Sequence, residues 1–389
     1  MPSPEEQLET LRTGAAQIIS EQELLAKLRL GRPLNVKLGV DPTAPDIHLG
    51  FTVGLAKLRQ FQDLGHQGIL IIGDFTAMIG DPSGRSKTRP QLTHHQVMCN
   101  AQTFQEQAYK ILDPQRTRTA FNGEWFEMMS FEEVMKLNSR VTLQQMMQRE
   151  DFKGRLEREE PVRLHELQYP IMQGWDSVMI KADVELGGTD QLFNILVGRS
   201  LQREEGQPEQ VVFLLPLLEG LDGTQKMSKS LGNYVGVTEP PAEMFGKLMS
   251  ISDELMARYY LLLLGEPLPA IHPMDAKKEL ARRIVERYHG PAAGQAALEH
   301  FSTRFSKRDL DQAELPPFTP PAGETDIITL VVAAFDSLGV KRSRGDARRL
   351  VEQGSVQING EKKTDVKSSH ALASGDVLRL DKTHAVRVA

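Results

Sequence analysis

The spacing of hydrophobic residues in the first part of the chain predicts a parallel α/β sheet. Apolar residues alternate over residues 36–40, and a proline-containing loop separates this short strand from a helix predicted over residues 46–64. Gly65 ends that helix, and residues 68–73 (GILIIG) form a continuous apolar run, typical of a strand buried on both faces. This order indicates a doubly wound sheet, in which ligands bind at the carboxyl ends of the strands.

The pattern further along the chain predicts more strands and then a helical region. Strands are predicted at residues 117–121, 184–186 and 211–218, whereas residues 91–165 are largely helical. The methionines near residues 142–150 fit either an interface or a core.

The last third of the chain predicts three further segments. Residues 239–315 are helix-rich, and residues 316–325 form a stiff proline-rich linker. Residues 326–389 contain two predicted helices, the second beginning with a capping box at Ser343, and a hairpin closed by Asn359-Gly360. This last segment is predicted to be a small α+β domain.

Composition sets the broad class of protein. With 389 residues, 40% hydrophobic and 25% charged, the chain has the make-up of a globular protein of two or three domains. Its apolar runs are too short to span a bilayer, its acidic N-terminus lacks a signal-peptide core, and its one cysteine, Cys99, fits a reducing cytoplasm. No His or Cys cluster has the spacing of a metal site.

Charge is distributed unevenly along the chain. The net charge of −6 argues at first against a nucleic-acid partner. However, residues 326–389 carry 11 Lys and Arg against 8 Asp and Glu, a net charge of +3, whereas the remainder carries 35 against 44, or −9. A basic tail on an acidic body suggests RNA contact.

Two distant stretches have the chemistry of a polyphosphate site. Residues 36–51 (VKLGVDPTAPDIHLGF) form a turn from strand to helix, where free N–H groups and the helix dipole favour phosphate, and His48 and Gly50 lie in this turn. Residues 226–230 (KMSKS) place Lys226 and Lys229 three apart in a loop, like a cationic clamp. Taken separately, the first could be a helix cap and the second a solvated basic loop.

Polar residues at three other places predict a small-molecule pocket. Tyr169, Gln173 and Asp176 fall on one face of a helix, and residues 187–191 (GGTDQ) follow a strand. Asp81, in the loop after the strand at 68–73, could hold an ammonium group. Each feature also has a purely structural interpretation, as a half-exposed face, a helix-starting turn or a turn-forming aspartate.

Together these motifs resemble a known family. His48-Leu49-Gly50 and the KMSKS loop resemble the two signature motifs of class I aminoacyl-tRNA synthetases. Four further stretches resemble the tyrosyl-tRNA synthetases, so that the resemblance covers nearly the whole chain. They are residues 41–44 (DPTA), residues 79–84 (IGDPSG), the Tyr169, Gln173 and Asp176 stripe, and residues 187–191.

The resemblance implies a role for each matching residue. His48, Lys226 and Lys229 would be catalytic and would stabilise the leaving pyrophosphate. The implied ATP-binding residues are Asp41, Thr43, His48, Gly50, Gly188, Asp190, Lys226, Ser228 and Lys229. The implied tyrosine-binding residues are Thr76, Asp81, Tyr169, Gln173, Asp176 and Gln191. In the basic tail the expected tRNA-binding residues are Lys341, Arg342, Arg344, Arg348 and Arg349, which could also be a solvated helix face.

The resemblance also implies the domains and partners. It predicts a Rossmann-like catalytic domain over residues 1–238 with a dimerisation insertion at about 125–165, a helical anticodon-side domain over 239–315, and a small RNA-binding domain over 326–389. The expected partners are L-tyrosine, ATP carrying Mg²⁺, tRNA(Tyr) and a second copy of the chain, in the cytoplasm and without a membrane.

The sequence departs from the family at two positions. Lys37 stands where the better-known bacterial branch has a tyrosine that contacts the substrate hydroxyl, so Asp176 or another group would complete that recognition. Phe51 replaces the last histidine of the first signature motif, which leaves His48 as its only imidazole. The alternatives left open are a tryptophan-specific relative, a small nucleotidyltransferase, and a synthetase-like RNA-binding protein without catalysis.

Overall fold

The chain divides into two compact units, Met1–Gly290 and Pro291–Ala389. The computed structural model describes residues 2–81, 92–305, 315–321, 323, 325–381 and 384–389. Pro82, Ser83 and Gly84 of the predicted loop motif, and residues 322 and 324 of the predicted linker, lie outside these ranges. The finer domain boundaries expected from the sequence remain a prediction.

A six-stranded sheet forms the centre of the first unit. The sheet order is β1-β6-β5-β2-β3-β4, with β1 antiparallel at one edge and the other five strands parallel. The strands are β1 (Gln17–Ile19), β2 (Asn35–Val40), β3 (Gln67–Ile72), β4 (Thr117–Phe121), β5 (Val184–Gly188) and β6 (Val211–Leu215). This confirms the predicted doubly wound parallel sheet.

The strand order reverses between β2 and β5. Strands β3 and β4 follow β2 on one side, whereas β5 and β6 follow on the other. Because the connections on the two sides leave the sheet in opposite directions, a crevice forms between the carboxyl ends of β2 and β5.

Helices surround this sheet within the first unit. They are α1 (Pro4–Arg12), α2 (Glu21–Leu28), α3 (Leu49–Asp63), α4 (Thr76–Ile79), α5 (His94–Ala108), α6 (Gly123–Phe126), α7 (Phe131–Asn138), α8 (Leu143–Met146), α9 (Glu150–Glu157), α10 (Leu164–Met179), α11 (Leu192–Glu204), α12 (Pro241–Met249), α13 (Asp253–Tyr259) and α14 (Pro273–His289). A π-helical turn, Tyr260–Leu264, follows α13.

Helix α3 begins three residues later than the sequence pattern predicts. His48 is its N-cap, because the preceding residues are extended and pair with a downstream segment. The N–H of Leu49 donates to the carbonyl of Val235 at 2.9 Å, and the N–H of Val237 donates to the carbonyl of Ile47 at 2.9 Å. The predicted end is confirmed, since Leu64 caps the helix and Gly65 has a φ of 99°.

The second unit has its own core. Its elements are α15 (Pro291–Phe305), β7 (Pro317–Phe318), β8 (Thr325–Asp326), α16 (Ile327–Ser337), α17 (Arg344–Glu352), β9 (Gln357–Ile358), β10 (Glu361–Lys362), β11 (Ser369–His370), β12 (Val377–Arg379) and β13 (Ala385–Val388). Phe335, Val351 and Leu378 are fully buried in one hydrophobic cluster. The predicted capping box at Ser343 and the Asn359-Gly360 hairpin are confirmed.

In the described part of the chain, no helix combines the length and hydrophobicity that a membrane span requires.

Helices α10 and α11 cross at two glycines. A Cβ atom added to Gly174 would lie 3.0 Å from the backbone nitrogen and 3.1 Å from the Cα of Gly198. Because the neighbouring atoms belong to a helix backbone, they cannot move aside as a flexible side chain would. The two helices can approach this closely only with glycine at this position.

This contact gives a stability prediction. We expect Gly174→Ala to lower the free energy of unfolding by ~1–3 kcal/mol, because overpacking forces α10 away from α11. The matched control is Gly246→Ala in α12, where an added Cβ meets nothing within 4 Å. The control should leave stability unchanged or raise it by up to ~1 kcal/mol. Urea unfolding of both variants measures the difference, and equal stabilities would contradict the packing argument.

Candidate active site

The crevice between β2 and β5 collects polar residues from four neighbouring strand ends. Asp41 follows β2, Thr76 follows β3, Asn122 follows β4, and Gly188 ends β5. Helix α10 adds the polar stripe predicted from the sequence. The polar residues that follow the strands and the polar stripe of α10 therefore meet at the carboxyl ends of the strands.

Asp41 accepts hydrogen bonds from two other residues of the predicted site. The hydroxyl of Thr76 donates to its Oδ1 at 2.8 Å, and the phenol of Tyr169 donates to its Oδ2 at 2.9 Å. Gly73 permits this approach, since a Cβ there would lie 2.1 Å from the Asp41 carboxylate. Burial, together with the Asp41 charge, raises the pKa of Tyr169 well above its ordinary value, so Tyr169 remains a neutral donor.

Asp176 is a buried carboxylate at the far end of the stripe, with 4% of its surface exposed. The indole N–H of Trp125 donates to it at 3.0 Å, and the side-chain amide of Asn122 donates at 3.4 Å. Burial raises the pKa of Asp176 to about 7, against the opposing effects of the Lys37 charge and these hydrogen bonds. Asp176 can therefore change its charge near neutral pH.

A second set of hydrogen bonds joins the remaining residues of the predicted amino-acid site. Asn194 donates to the side-chain oxygens of Gln173 at 2.8 Å and of Gln191 at 3.1 Å. Gln191 in turn donates to Asp81 at 3.1 Å. Both glutamines are thus held in place before any ligand arrives.

The two signature motifs meet at the start of α3. His48 forms an antiparallel bridge with Gly236, just beyond the KMSKS loop. The N–H of Gly50 points to the sulfur of Met227 at 3.3 Å, and a Cβ at Gly50 would meet the His48 ring at 3.0 Å. The two motifs, which are far apart in the sequence, are therefore in direct contact.

The imidazole of His48 is buried and uncharged. Burial, with a smaller effect from the Lys229 charge, lowers its pKa to about 4. Among the described residues, no hydrogen-bond partner is found for its buried Nδ1 atom. A buried polar atom without a partner is unfavourable, so a ligand that bonded to it would remove that penalty.

Both lysines of the KMSKS loop lie beside carboxylates. Lys226 Nζ is 3.0 Å from Asp190, and Lys229 Nζ is 3.5 Å from Asp46. Asn233 fixes the loop that carries them: it accepts from the N–H of Ser228 at 2.8 Å and donates to Asp222 at 2.6 Å. The sequence analysis did not identify Asn233, because nothing in the motif indicates which later residue closes the loop.

The predicted site residues thus fall into three places. Of the six predicted tyrosine-binding residues, five belong to the hydrogen-bond sets around Asp41 and Asn194, and the sixth, Asp176, accepts from Trp125 and Asn122. Of the predicted ATP-binding residues, Asp41 joins the Thr76 and Tyr169 group, whereas His48, Gly50 and the KMSKS loop lie at the start of α3. The five predicted tRNA-binding residues are exposed at the start of α17 in the second unit.

The sequence analysis missed four polar residues in the crevice or directly beneath it. They are Asn122, Trp125, Glu185 and Asn194, and all four contact predicted site residues. Asn122 and Trp125 directly follow β4, so the rule that ligands bind at strand ends could have indicated them. Glu185 lies in the middle of an apolar strand, and its partner could not be identified from the sequence.

No group of three or more His, Cys, Asp or Glu side chains that could hold a metal ion occurs within residues 2–81, 92–305 and the described parts of the second unit.

Comparison with known families identifies two matching regions. Residues 29–306 match the family described as tRNA synthetases class I (W and Y). Residues 309–376 match the C-terminal domain described as tyrosine–tRNA ligase SYY-like.

Solved structures are similar in fold. A tyrosyl-tRNA synthetase from Archaeoglobus fulgidus complexed with L-tyrosine has a TM-score of 0.63 at 22% identity, covering 76% of this chain and 99% of that chain. A C-terminally truncated mitochondrial tyrosyl-tRNA synthetase from Aspergillus nidulans also has a TM-score of 0.63, at 21% identity. The match covers 78% of this chain and 95% of that chain.

Curated relatives are much closer in sequence. A tyrosine–tRNA ligase from Moorella thermoacetica is 50% identical over 98% of this chain and 95% of its own length. A tyrosine–tRNA ligase from Oleidesulfovibrio alaskensis is 49% identical over 99% of this chain and 98% of its own length. Since one family match covers most of the chain and these relatives align along nearly all of it, the chain belongs to the tyrosine–tRNA ligase family of class I tRNA synthetases.

Proposed function

We propose that this protein is a tyrosine–tRNA ligase, which activates L-tyrosine with ATP and then transfers the tyrosyl group to tRNA(Tyr). The observation that carries the proposal is a buried carboxylate, Asp176, at one end of a polar crevice. Next to this crevice, the start of α3 and the KMSKS loop form a corner that contains His48 and two lysines. Such an arrangement suits a phenolic amino acid next to a nucleoside triphosphate. The relatives described above carry this name, which favours it over the tryptophan-specific alternative.

Tyrosine would lie along the polar stripe of α10. Asp81, Tyr169 and Gln173 would hold its ammonium group, and Gln191 would contact its backbone atoms. Asp176 would accept the hydrogen bond of the phenol, with Trp125 and Asn122 holding the carboxylate in place. The fixed positions of Gln173 and Gln191 support this assignment, because preorganised polar groups lose little entropy on binding.

ATP would bind at the start of α3, with its ribose near Asp190 and Gly188. In the first step the tyrosine carboxylate attacks the α-phosphorus, a new O–P bond forms, and pyrophosphate leaves with the electrons of the broken bond. His48 would donate a hydrogen bond to the departing phosphates, and Lys226 and Lys229 would leave their carboxylate partners to neutralise the developing charge. Magnesium would arrive bound to ATP as part of the substrate.

In the second step a hydroxyl of the terminal adenosine of tRNA attacks the tyrosyl carbonyl, and AMP leaves. The tRNA contact is proposed for Lys341, Arg342, Arg344, Arg348 and Arg349. Arg342 lies over the Phe335 ring and Arg344 contacts Thr329, so both side chains are oriented while remaining exposed. Oriented, exposed cations suit a phosphate backbone.

We also propose that the chain acts as a homodimer in the cytoplasm. The insertion between β4 and α10 exposes large apolar side chains, including Met128 at 83%, Phe131 at 80% and Leu143 at 66%. Phe131 and Met135 lie four residues apart on α7 and share a face. A second copy of the chain is the proposed occupant, and sedimentation of the purified protein measures the oligomeric state.

The first functional prediction concerns the corner at α3. Alanine at His48 or at Lys229 should lower the rate of adenylate formation by ~10²–10³, because both groups would contact charge that develops only as pyrophosphate leaves. Tyrosine affinity should remain nearly unchanged. Lys278→Ala on α14 serves as the matched control for loss of a lysine. Pre-steady-state adenylation and equilibrium binding measure the two quantities, and an equal loss of tyrosine affinity would contradict the assignment.

The second functional prediction concerns Asp176. Phenylalanine lacks the phenol hydroxyl and would leave the buried carboxylate without the hydrogen bond that the phenol supplies, so Asp176→Ala should remove most of the preference for tyrosine over phenylalanine. In the wild type this preference should fall as pH decreases through about 7, because protonation neutralises the carboxylate. ATP–pyrophosphate exchange with each amino acid across a pH series tests both statements. A preference independent of Asp176 would mean that another group recognises the hydroxyl.

The third functional prediction concerns the basic cluster at α17. Changing all five residues to glutamine should leave tyrosine-dependent pyrophosphate exchange intact while tRNA charging falls. The log–log salt slope of tRNA binding should decrease by roughly 0.7–0.9 for each lost phosphate contact. Lys362, Lys363 and Lys367 changed to glutamine provide a control within the same unit. If this control lowers charging as much as the cluster does, the contact is non-specific.

A further inference from the structure

Lys37 lies in the interior of the sheet, in the middle of β2, and is 0% exposed. Its ammonium group lies 2.9 Å from the carboxylate of Glu185, and it donates to the carbonyl of Gln173 at 2.7 Å and the hydroxyl of Ser177 at 2.8 Å. These three contacts use all three of its protons. Lys37 therefore does not reach the crevice as a direct partner of a ligand.

Glu185 is the matching buried anion on β5 and is 1% exposed. Lys37 and Glu185 are direct neighbours in the parallel pairing of β2 and β5, the two strands between which the strand order reverses. Besides Lys37, Glu185 accepts hydrogen bonds from Gln173 at 3.1 Å, Ser177 at 3.0 Å and Gln210 at 2.5 Å. Both charges are fully satisfied inside the protein.

The pair holds the helix that carries the proposed tyrosine-binding stripe. Lys37 binds the backbone of Gln173, and Glu185 binds its side chain, which also accepts from Asn194. Ser177, the residue after Asp176, contacts both members of the pair. A movement of either charged side chain would therefore shift α10 on both sides of Asp176.

A buried ion pair is weak evidence for stability, because apolar residues of similar volume often stabilise such a position as well or better. This pair also lies within electrostatic reach of Asp176, whose pKa the Lys37 charge lowers and the Glu185 charge raises. Its two members therefore act on Asp176 in opposite directions.

We propose that Lys37 and Glu185 are positioning residues with opposed effects on amino-acid selection: through their contacts with Gln173 and Ser177, on either side of Asp176, the lysine supports binding of a phenol at that carboxylate and the glutamate opposes it. The proposal rests on the assignment of tyrosine to this crevice. It explains how a lysine that never touches the ligand can determine specificity.

The other ionisable groups near Asp176 are acidic or neutral donors. Tyr169 lies on the same helix, and Asp41 and Asp81 act electrostatically on Tyr169 together with Asp176. Asp74 binds the backbone of Gly123, next to Asn122. Among the charged groups, the Lys37 charge lowers the pKa of Asp176 and the Glu185 charge raises it.

The test compares three full-length variants: Lys37→Met, Glu185→Gln, and the two changes combined. For each, the ratio of tyrosine to phenylalanine turnover in ATP–pyrophosphate exchange is measured from pH 5.5 to 9 with a constant-ionic-strength buffer. The matched control is Lys57→Met. Lys57 is also a buried lysine, but it donates to the carbonyls of Leu11 and Thr13.

In the wild type, the ratio of tyrosine to phenylalanine turnover should rise with increasing pH, with a midpoint near pH 7. Lys37→Met should move this midpoint upward by about one unit or more, which lowers the ratio at pH 7 about fivefold for the first unit and ~10-fold for each further unit. Glu185→Gln should move it downward, and the combined variant should fall between the two. Lys57→Met should leave the midpoint unchanged even where it lowers thermal stability.

Midpoints that stay at the wild-type value, or that move in the same direction in Lys37→Met and Glu185→Gln, would overturn the proposal. If Lys37→Met fails to fold, the other two variants still decide the question: the midpoint of the combined variant should lie above that of Glu185→Gln, and equal midpoints in these two variants would overturn the proposal. A wild-type protein without tyrosine-dependent exchange would instead overturn the proposed function, so the two failures are distinguishable.

Discussion

The site depends on a constraint inside the sheet: opposite charges on β2 and β5 must stay paired. Lys37 and Glu185 are enclosed where these two strands adjoin, and α10 lies against them through Gln173 and Ser177. Separating such a pair leaves a buried charge without compensation, which costs several kcal/mol. The ion pair therefore fixes the spacing between α10 and the strand ends. As a result, the polar side chains of the crevice are in position before a ligand binds.

The parallel sheet brings distant parts of the sequence to one edge. Asp41, Thr76 and Asn122 follow three successive strands in the sheet, yet they form one hydrogen-bonded group with Tyr169 and Asp176. The start of α3 is joined by backbone hydrogen bonds to residues 235–237, just beyond the KMSKS loop, and to the loop itself through Met227. The proposed amino-acid site and the proposed phosphate site thus lie at different parts of the same crevice.

Much of this arrangement could be predicted from the sequence. The continuous apolar runs of β3 and β6 and the spacing of Tyr169, Gln173 and Asp176 are local signals, and they gave the sheet and the polar stripe correctly. The start of α3 was wrong, because residues 47–49 pair with a segment almost two hundred positions away. The role of Lys37 could not be inferred, since its partner is identified only by the register of β2 and β5. Asn194 was missed because its contacts with Gln173 and Gln191 depend on how α10 and α11 pack together.

The pairing of Lys226 with Asp190 and of Lys229 with Asp46 has a consequence for competition among cellular anions. A bare pair of lysines would attract inorganic phosphate, free pyrophosphate and many metabolites. Here an incoming anion must replace two carboxylates, so a single phosphate gains little from the exchange. A ligand that also offers a ribose to Asp190 and a phosphate chain to both lysines gains at several points together. The two acidic partners of the lysines thereby disfavour the binding of small anions.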